Sequence, residues 1–165
     1  MIYIIIGVSG SGKTSVGTIL SKTLSVPFYD GDDYHNNKNI QKMKNGLSLN
    51  DFDRQPWLNL LALKIKEWNS KGDAVLACSA LKNDYRLVLS HNNKVTFIFL
   101  YGSYDLIYSR LLKRKNHFFT KEMLETQFSI LEVPTKCIKI SINQSIENIN
   151  LLIHSTLDSR INEQE

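Results

Sequence analysis

The sequence has no apolar run that approaches the roughly 20 residues needed for a membrane-spanning helix. Its opening, MIYIIIGVSGSGK, lacks a basic n-region and a small-residue cleavage site, and its apolar part is too short for a secretory signal. Cysteine is scarce. Cys78 and Cys137 lie far apart in apolar, strand-like runs, which suits core thiols of a reducing compartment and not a disulfide framework. These absences point to a cytoplasmic protein without membrane association. Internal repeats, low-complexity tracts and linkers are also missing, so a single domain over residues 1–165 is expected. No basic stripe marks a nucleic-acid surface. The net charge of +4 and pI of about 9.0 favour anionic ligands without naming one.

What is present is a regular alternation. Short β-branched and aromatic runs at Ile2–Ile6, Val26–Asp30, Ala74–Cys78, Val95–Leu100 and Cys137–Ile142 read as buried strands. Between them, apolar residues recur at helical spacing: Val16, Ile19, Leu20 and Leu24; Trp57, Leu61, Ile65 and Trp68; Ile146, Ile149 and Ile153. Strands alternating with helices predict an α/β fold, a five-stranded parallel sheet with helices on both faces.

The strongest motif is GVSGSGKT, Gly7 to Thr14, which fits G-x-x-x-x-G-K-[ST] between a strand and an amphipathic helix. Glycines let successive N–H groups curl around one anion, and the helix adds its positive end. Gly7, Ser9, Gly10, Ser11, Gly12, Lys13, Thr14 and Ser15 are therefore the candidate nucleotide site. Lys13 is placed to reach the β- and γ-phosphates, and the Thr14 hydroxyl to hold Mg²⁺. The motif predicts a nucleoside triphosphate but not what receives the phosphate. The guanine signature NKxD is absent, no Asp has Gly three residues later, and the chain is short for a motor ATPase. A compact small-molecule kinase remains.

Asp30 ends the second strand and Asp32 follows two residues on, where an open α/β sheet binds ligands. One carboxylate suits assistance to Mg²⁺ and the other suits accepting a hydroxyl proton, though the pair fits a turn with a helix N-cap equally well. His35 is either a polar contact to the acceptor or a cap. Lys82 and Arg86, four apart on a predicted helix, share a face that either holds a substrate anion or is simply solvated. LNDFDRQPWL reads as a helix start, with Asp53 as N-cap, Pro56 in the tolerant first turn and Trp57 opening an apolar face. Arg110, Lys113, Arg114 and Lys115 cluster late in a helix that starts near Tyr104, as a basic lid or as cations complementing a helix end.

Taken together, GVSGSGKT, GDDYH with NKNIQKMKNG, LNDFDRQPWL, CSALKNDYR, RLLKRKNHFF and LETQFSILEVP resemble the gluconate kinase (gluconokinase) family of P-loop sugar-acid kinases, in order from Gly7 to about Pro134. The resemblance implies a three-layer, nucleoside-monophosphate-kinase-like P-loop fold with a lid, and commonly a homodimer. It implies ATP- and Mg²⁺-dependent phosphorylation of D-gluconate at its 6-hydroxyl. Carried over by position, Asp32 is the candidate base and Asp30, with Thr14, the metal helper. His35, Arg54, Lys82, Arg86 and Gln127 are candidates for the sugar acid, with Arg54 or Arg86 favoured for the carboxylate because guanidinium binds it bidentately. Asp51 is a candidate for orienting Arg54, with Trp57 packed beneath it. Lys13, Arg110 and Arg114 are the charges expected to stabilise phosphoryl transfer.

The chain departs from the family pattern at Asn36, at Ser48 and at His117–Thr120, changes that affect loop stiffness more than charge. Shikimate kinase is the nearest alternative, but CSALK stands where that family usually carries a glycine-rich turn. A non-enzymatic ATP-binding or nucleic-acid-binding module is disfavoured by acids facing the P-loop, which a phosphate-backbone site would avoid.

Overall fold

The computed structural model describes residues 1–113 and 119–162. Five strands, β1 (Ile2–Ile6), β2 (Phe28–Asp30), β3 (Ala74–Ala77), β4 (Val95–Tyr101) and β5 (Ile138–Ser141), form one sheet in the order β2-β3-β1-β4-β5. Every neighbouring pair is parallel, with Ile2 opposite Ala74 and Val95, Phe28 opposite Val75, and Ile98 opposite Ile138. All five predicted strands form. β2, β3 and β5 are shorter than expected and β4 is one residue longer. β2 starts late because Pro27 has no N–H to give a ladder; its carbonyl still accepts from Val75 N at 2.9 Å.

The helices are α1 (Lys13–Leu24), α2 (Asn37–Lys44), α3 (Asp51–Lys71), α4 (Asn83–Ser90), α5 (Tyr104–Leu112), α6 (Lys121–Ile130) and α7 (Ile146–Asn162). The pleat sends alternate residues of each strand to opposite faces. Ile2, Ile4, Ile6, Leu76 and Phe99 meet Trp57, Leu61 and Ile65 of α3 and Leu89 of α4. Ile5, Val75, Ile98 and Ile140 meet Leu20 of α1, Leu111 of α5 and Ile153 of α7. This is the expected three-layer arrangement. At the β2 end, Tyr29 stacks on Trp68 with centroids 3.9 Å apart, which fixes α3 across the sheet.

Two glycines let the strand ends crowd together. Gly7 has φ +150°, and a Cβ there would lie 2.7 Å from the Leu100 carbonyl oxygen. A Cβ on Gly31 would lie 2.8 Å from the Ala77 carbonyl oxygen. The loops after β1 and β3 are joined where Gly7 N donates to Ser79 O at 3.4 Å. Among the described residues, no helix is long and apolar enough to cross a membrane.

Candidate active site

The loop 7–12 leads from β1 into α1, whose N-cap Gly12 is left-handed at φ 97°. Lys13 folds back, its Nζ donating to Val8 O at 3.1 Å. Thr14 Oγ1 donates to Asp30 Oδ2 at 2.8 Å, and the other Asp30 oxygen accepts from Asp32 N at 3.1 Å. Asp30 is therefore both a cap of the 3-10 turn Gly31–Tyr34 and a partner of Thr14, so the capping reading is met for Asp30. A hydroxyl and a carboxylate side by side are hard oxygen donors that suit Mg²⁺. Among the described residues no group of three His, Cys, Asp or Glu is placed to hold a metal.

Ser9, Lys13, Asp32, His35, Arg54 and Gln127 line one cleft of about 210 Å³. That is below the roughly 300–1,000 Å³ of pockets for drug-sized ligands, so the cleft suits a small acceptor. Its walls also include Ile40 and Met43 of α2, Ser48, Leu49, Ser79, and Phe119, Met123 and Thr126 at or near α6, none of which was singled out as a site residue from sequence. Their common signal is position beside the strand ends, which becomes visible only once the sheet order is known.

Asp32 sits in this cleft with a pKa raised chiefly by the surrounding protein; Asp30 and Asp33 raise it further, while Lys13 and Arg54 oppose. Its side chain is 78% exposed, so water offsets much of this upward push. His35 is buried and stacked on Trp57 with centroids 4.4 Å apart, and its pKa is lowered to about 4 by burial and then by Arg54. It is neutral at pH 7.

Arg54 is 7% exposed, and its Nε has no hydrogen-bond partner among the described residues. Its guanidinium lies 5.9 Å from the centre of the Tyr85 ring. Arg54 is thus a buried cation on the cleft wall with one donor, Nε, unpartnered among the described residues.

The other expected basic groups are placed differently. Arg86 is buried, and it donates to Ala80 O, Leu81 O and Glu132 O, each at 2.9 Å. It does not line the cleft, which corrects its expected role as a clamp. Lys82 is the N-cap of α4, not a residue on its face, and gives both its 2.8 Å contacts to Asp51. Asp51 also accepts from the Tyr85 hydroxyl, and the hydrogen bonds from Lys82 and then Tyr85 lower its pKa. Asp51 is thus a hydrogen-bond partner of Lys82 and Tyr85, and Arg54 is among the charges that lower its pKa. Trp57 packs on His35, with Nε1 donating to Gly31 O at 2.7 Å.

Arg110 donates to Ile142 O at 2.7 Å and lines a separate cavity with Gly10, Ser11, Gly12 and Ser15. It does not line the cleft that holds Asp32 and Arg54. Arg114, His117 and Phe118 lie outside the described residues. Gln127 faces the cleft but is bound to the P-loop: Ser9 N donates to its Oε1 at 2.7 Å, and its Nε2 donates to Ser9 Oγ at 3.3 Å. Both polar atoms of its amide are thus engaged by Ser9 in this structure.

A P-loop on the central strand of a parallel sheet, opening on a small cleft with an acid and a spare arginine, defines a P-loop small-molecule kinase. The comparisons with known proteins narrow the class. A family model described as shikimate kinase matches residues 9–154. The chain is 43% identical to the probable gluconokinase of Dictyostelium discoideum, over 82% of this chain and 72% of that protein. It is 42% identical to the thermoresistant gluconokinase of Escherichia coli (strain K12), over 90% of this chain and 88% of that protein. The crystal structure of a gluconokinase from Sinorhizobium meliloti 1021 superposes with a TM-score of 0.85 at 32% identity, covering 99% of this chain and 96% of that one. The chain belongs to the gluconokinase family, within the wider group that the shikimate kinase model describes.

Proposed function

We propose that the protein transfers the γ-phosphoryl group of ATP to the 6-hydroxyl of D-gluconate, giving 6-phospho-D-gluconate and ADP. The observation that carries the acceptor side is Arg54, a buried cation with unspent hydrogen-bonding capacity in the same cleft as Asp32 and Lys13. Gluconate supplies what that cleft asks for: a carboxylate for Arg54, hydroxyls for polar walls and a terminal hydroxyl to be phosphorylated. The phosphates of ATP rest on the backbone of the P-loop, with Lys13 balancing their charge. The 6-hydroxyl oxygen forms its bond to the γ-phosphorus as the bond to the β–γ bridging oxygen breaks, and its proton passes to Asp32. Asp32 lines the cleft beside Lys13 and Arg54, where its carboxylate is open to accept that proton.

Thr14 and Asp30 are the residues that would hold Mg²⁺, which when bound neutralises phosphate charge. Use of Mg²⁺, one kinase domain over the whole chain, assembly as a homodimer, a cytoplasmic location and the absence of nucleic-acid partners belong to the same proposal and rest on the family resemblance and the sequence. The loop after β3 speaks against shikimate as acceptor. Instead of a glycine-rich turn it carries Ala80, left-handed at φ 36°. ADP release with ATP and either D-gluconate or shikimate tests the reading. Gluconate-dependent release is expected; release with shikimate and none with gluconate would overturn it.

A further inference from the structure

His35 offers two ring nitrogens, and what surrounds them decides which carries the proton. Nδ1 lies 3.3 Å from Asn39 Nδ2. That same amide nitrogen donates to the Asp53 carbonyl at 2.7 Å. Turning the amide over would set its oxygen against the Asp53 oxygen, so the carbonyl fixes which end of Asn39 faces the ring. An amide N–H then points at Nδ1, which must accept, and the single proton of the neutral imidazole resides on Nε2.

The geometry holds Asn39 itself still. It is 1% exposed, and its backbone N–H is capped by Asn36 Oδ1 at 2.8 Å. Asn36, a departure from the family's usual proline, thus anchors the turn of α2 that carries Asn39. The ring cannot rotate freely either, because Trp57 stacks on it. Nε2 looks toward Asp32, with Nε2 and Oδ1 4.0 Å apart. This is too long for a direct hydrogen bond. It leaves room for one hydroxyl oxygen at about 2.8 Å from both. Such a hydroxyl donates its proton to Asp32 and accepts from Nε2–H, which leaves one lone pair for phosphorus. Among the described residues, the charged groups facing the imidazole are Asp32 from the turn and Arg54 from α3.

We propose that Asn39 is a positioning residue that holds His35 as an Nε2–H donor to the acceptor hydroxyl deprotonated by Asp32. The inference rests on the kinase reading for the hydroxyl, but its structural half needs no substrate. Two-bond ¹H–¹⁵N correlation spectra of ¹⁵N-histidine protein, with His35 assigned through His35→Gln, report the tautomer directly. The expected result at pH 7 is a neutral ring protonated on Nε2. A ring protonated on Nδ1, or on both nitrogens, overturns the proposal whatever the acceptor proves to be. In Asn39→Leu the spectrum should move toward the Nδ1–H form. The KM for the acceptor should rise about 3- to 10-fold, the worth of one hydrogen bond, with the KM for ATP unchanged. Placed in a His35→Gln background, whose amide supplies its own N–H, Asn39→Leu should add nothing further. An equal loss in both backgrounds, or a folded Asn39→Leu with unaltered tautomer, would show that Asn39 is structural only. Loss of gluconate activity in the wild type, with the Nε2–H form intact, would count against the substrate and not against this assignment.

Discussion

Arg54 and Arg86 carry the same charge and nearly the same burial, 7% and 6% exposed, yet they are used in opposite ways. Both follow the same chemistry in sequence, a guanidinium near the acceptor side, and spacing alone does not separate them. The difference lies in backbone carbonyls. Those of Ala80, Leu81 and Glu132 happen to converge on Arg86, and among the described residues no such set reaches Arg54. Carbonyl directions depend on loop geometry, which the order of residues does not display. The two arginines should therefore fail differently. Arg54→Ala is expected to raise the KM for gluconate roughly 10- to 100-fold, the loss of one or two charge-assisted hydrogen bonds, with little change in the KM for ATP. Arg86→Ala should leave the gluconate KM in place and lower stability by about 3 kcal/mol, because buried carbonyls lose their donor. Steady-state kinetics and urea unfolding of both variants check the pair. A gluconate KM that follows Arg86 instead would restore it as the clamp.

The start of α3 shows what sequence conveys about an element and what it leaves out. A helix beginning in LNDFDRQPWL was legible from its polar head and apolar spacing. The cap was displaced by three residues. Asn50, not Asp53, is the N-cap, and the two form a capping box: Asp53 N donates to Asn50 Oδ1 and Asn50 N to Asp53 Oδ2, each at 2.9 Å. Asx residues three apart satisfy the rule for a cap in either register, so composition could not choose. Pro56 consequently falls at the sixth helical position, beyond the first turn, where its missing N–H leaves the Phe52 carbonyl without its usual helical donor. The box is also a latch, since Asp53 takes Lys42 of α2 at 2.5 Å and offers its carbonyl to Asn39. Asn50→Ala is expected to cost about 1 kcal/mol, read as a lower urea midpoint at constant m-value. Because the latch holds α2 against the cleft, its KM for gluconate should rise while that for ATP does not. A midpoint equal to the wild type's would mean that the box is not what anchors this helix.

At the scale of the whole molecule, the sheet and its covering helices followed from alternation, and the donor site from an eight-residue motif in its proper setting. Strand order did not, because any right-handed set of crossovers satisfies the alternation; the order decides which loops become neighbours. It brings the end of β2 beside the P-loop, and with it a histidine whose burial reaches into the stability of the entire fold. The pKa of His35 is about 4 in the native state, against 6.5 for an ordinary histidine. Between those values the unfolded chain binds a proton that the native state refuses, so stability rises with pH across this window. The contribution is complete above pH 6.5 and is lost as the pH falls toward 4. From pH 7.5 to pH 4.5 it amounts to roughly 2–3 kcal/mol. Other groups titrate in the same range, above all the carboxylates, and they must be subtracted. His35→Gln does this, since glutamine takes up no proton. Urea unfolding at pH 7.5 and 4.5 should show the wild type losing 2–3 kcal/mol more than the variant, by the same linkage. Equal losses would mean that the ring takes up its proton in the folded state as readily as in the unfolded one, and that its stacking on Trp57 does not exclude the charge.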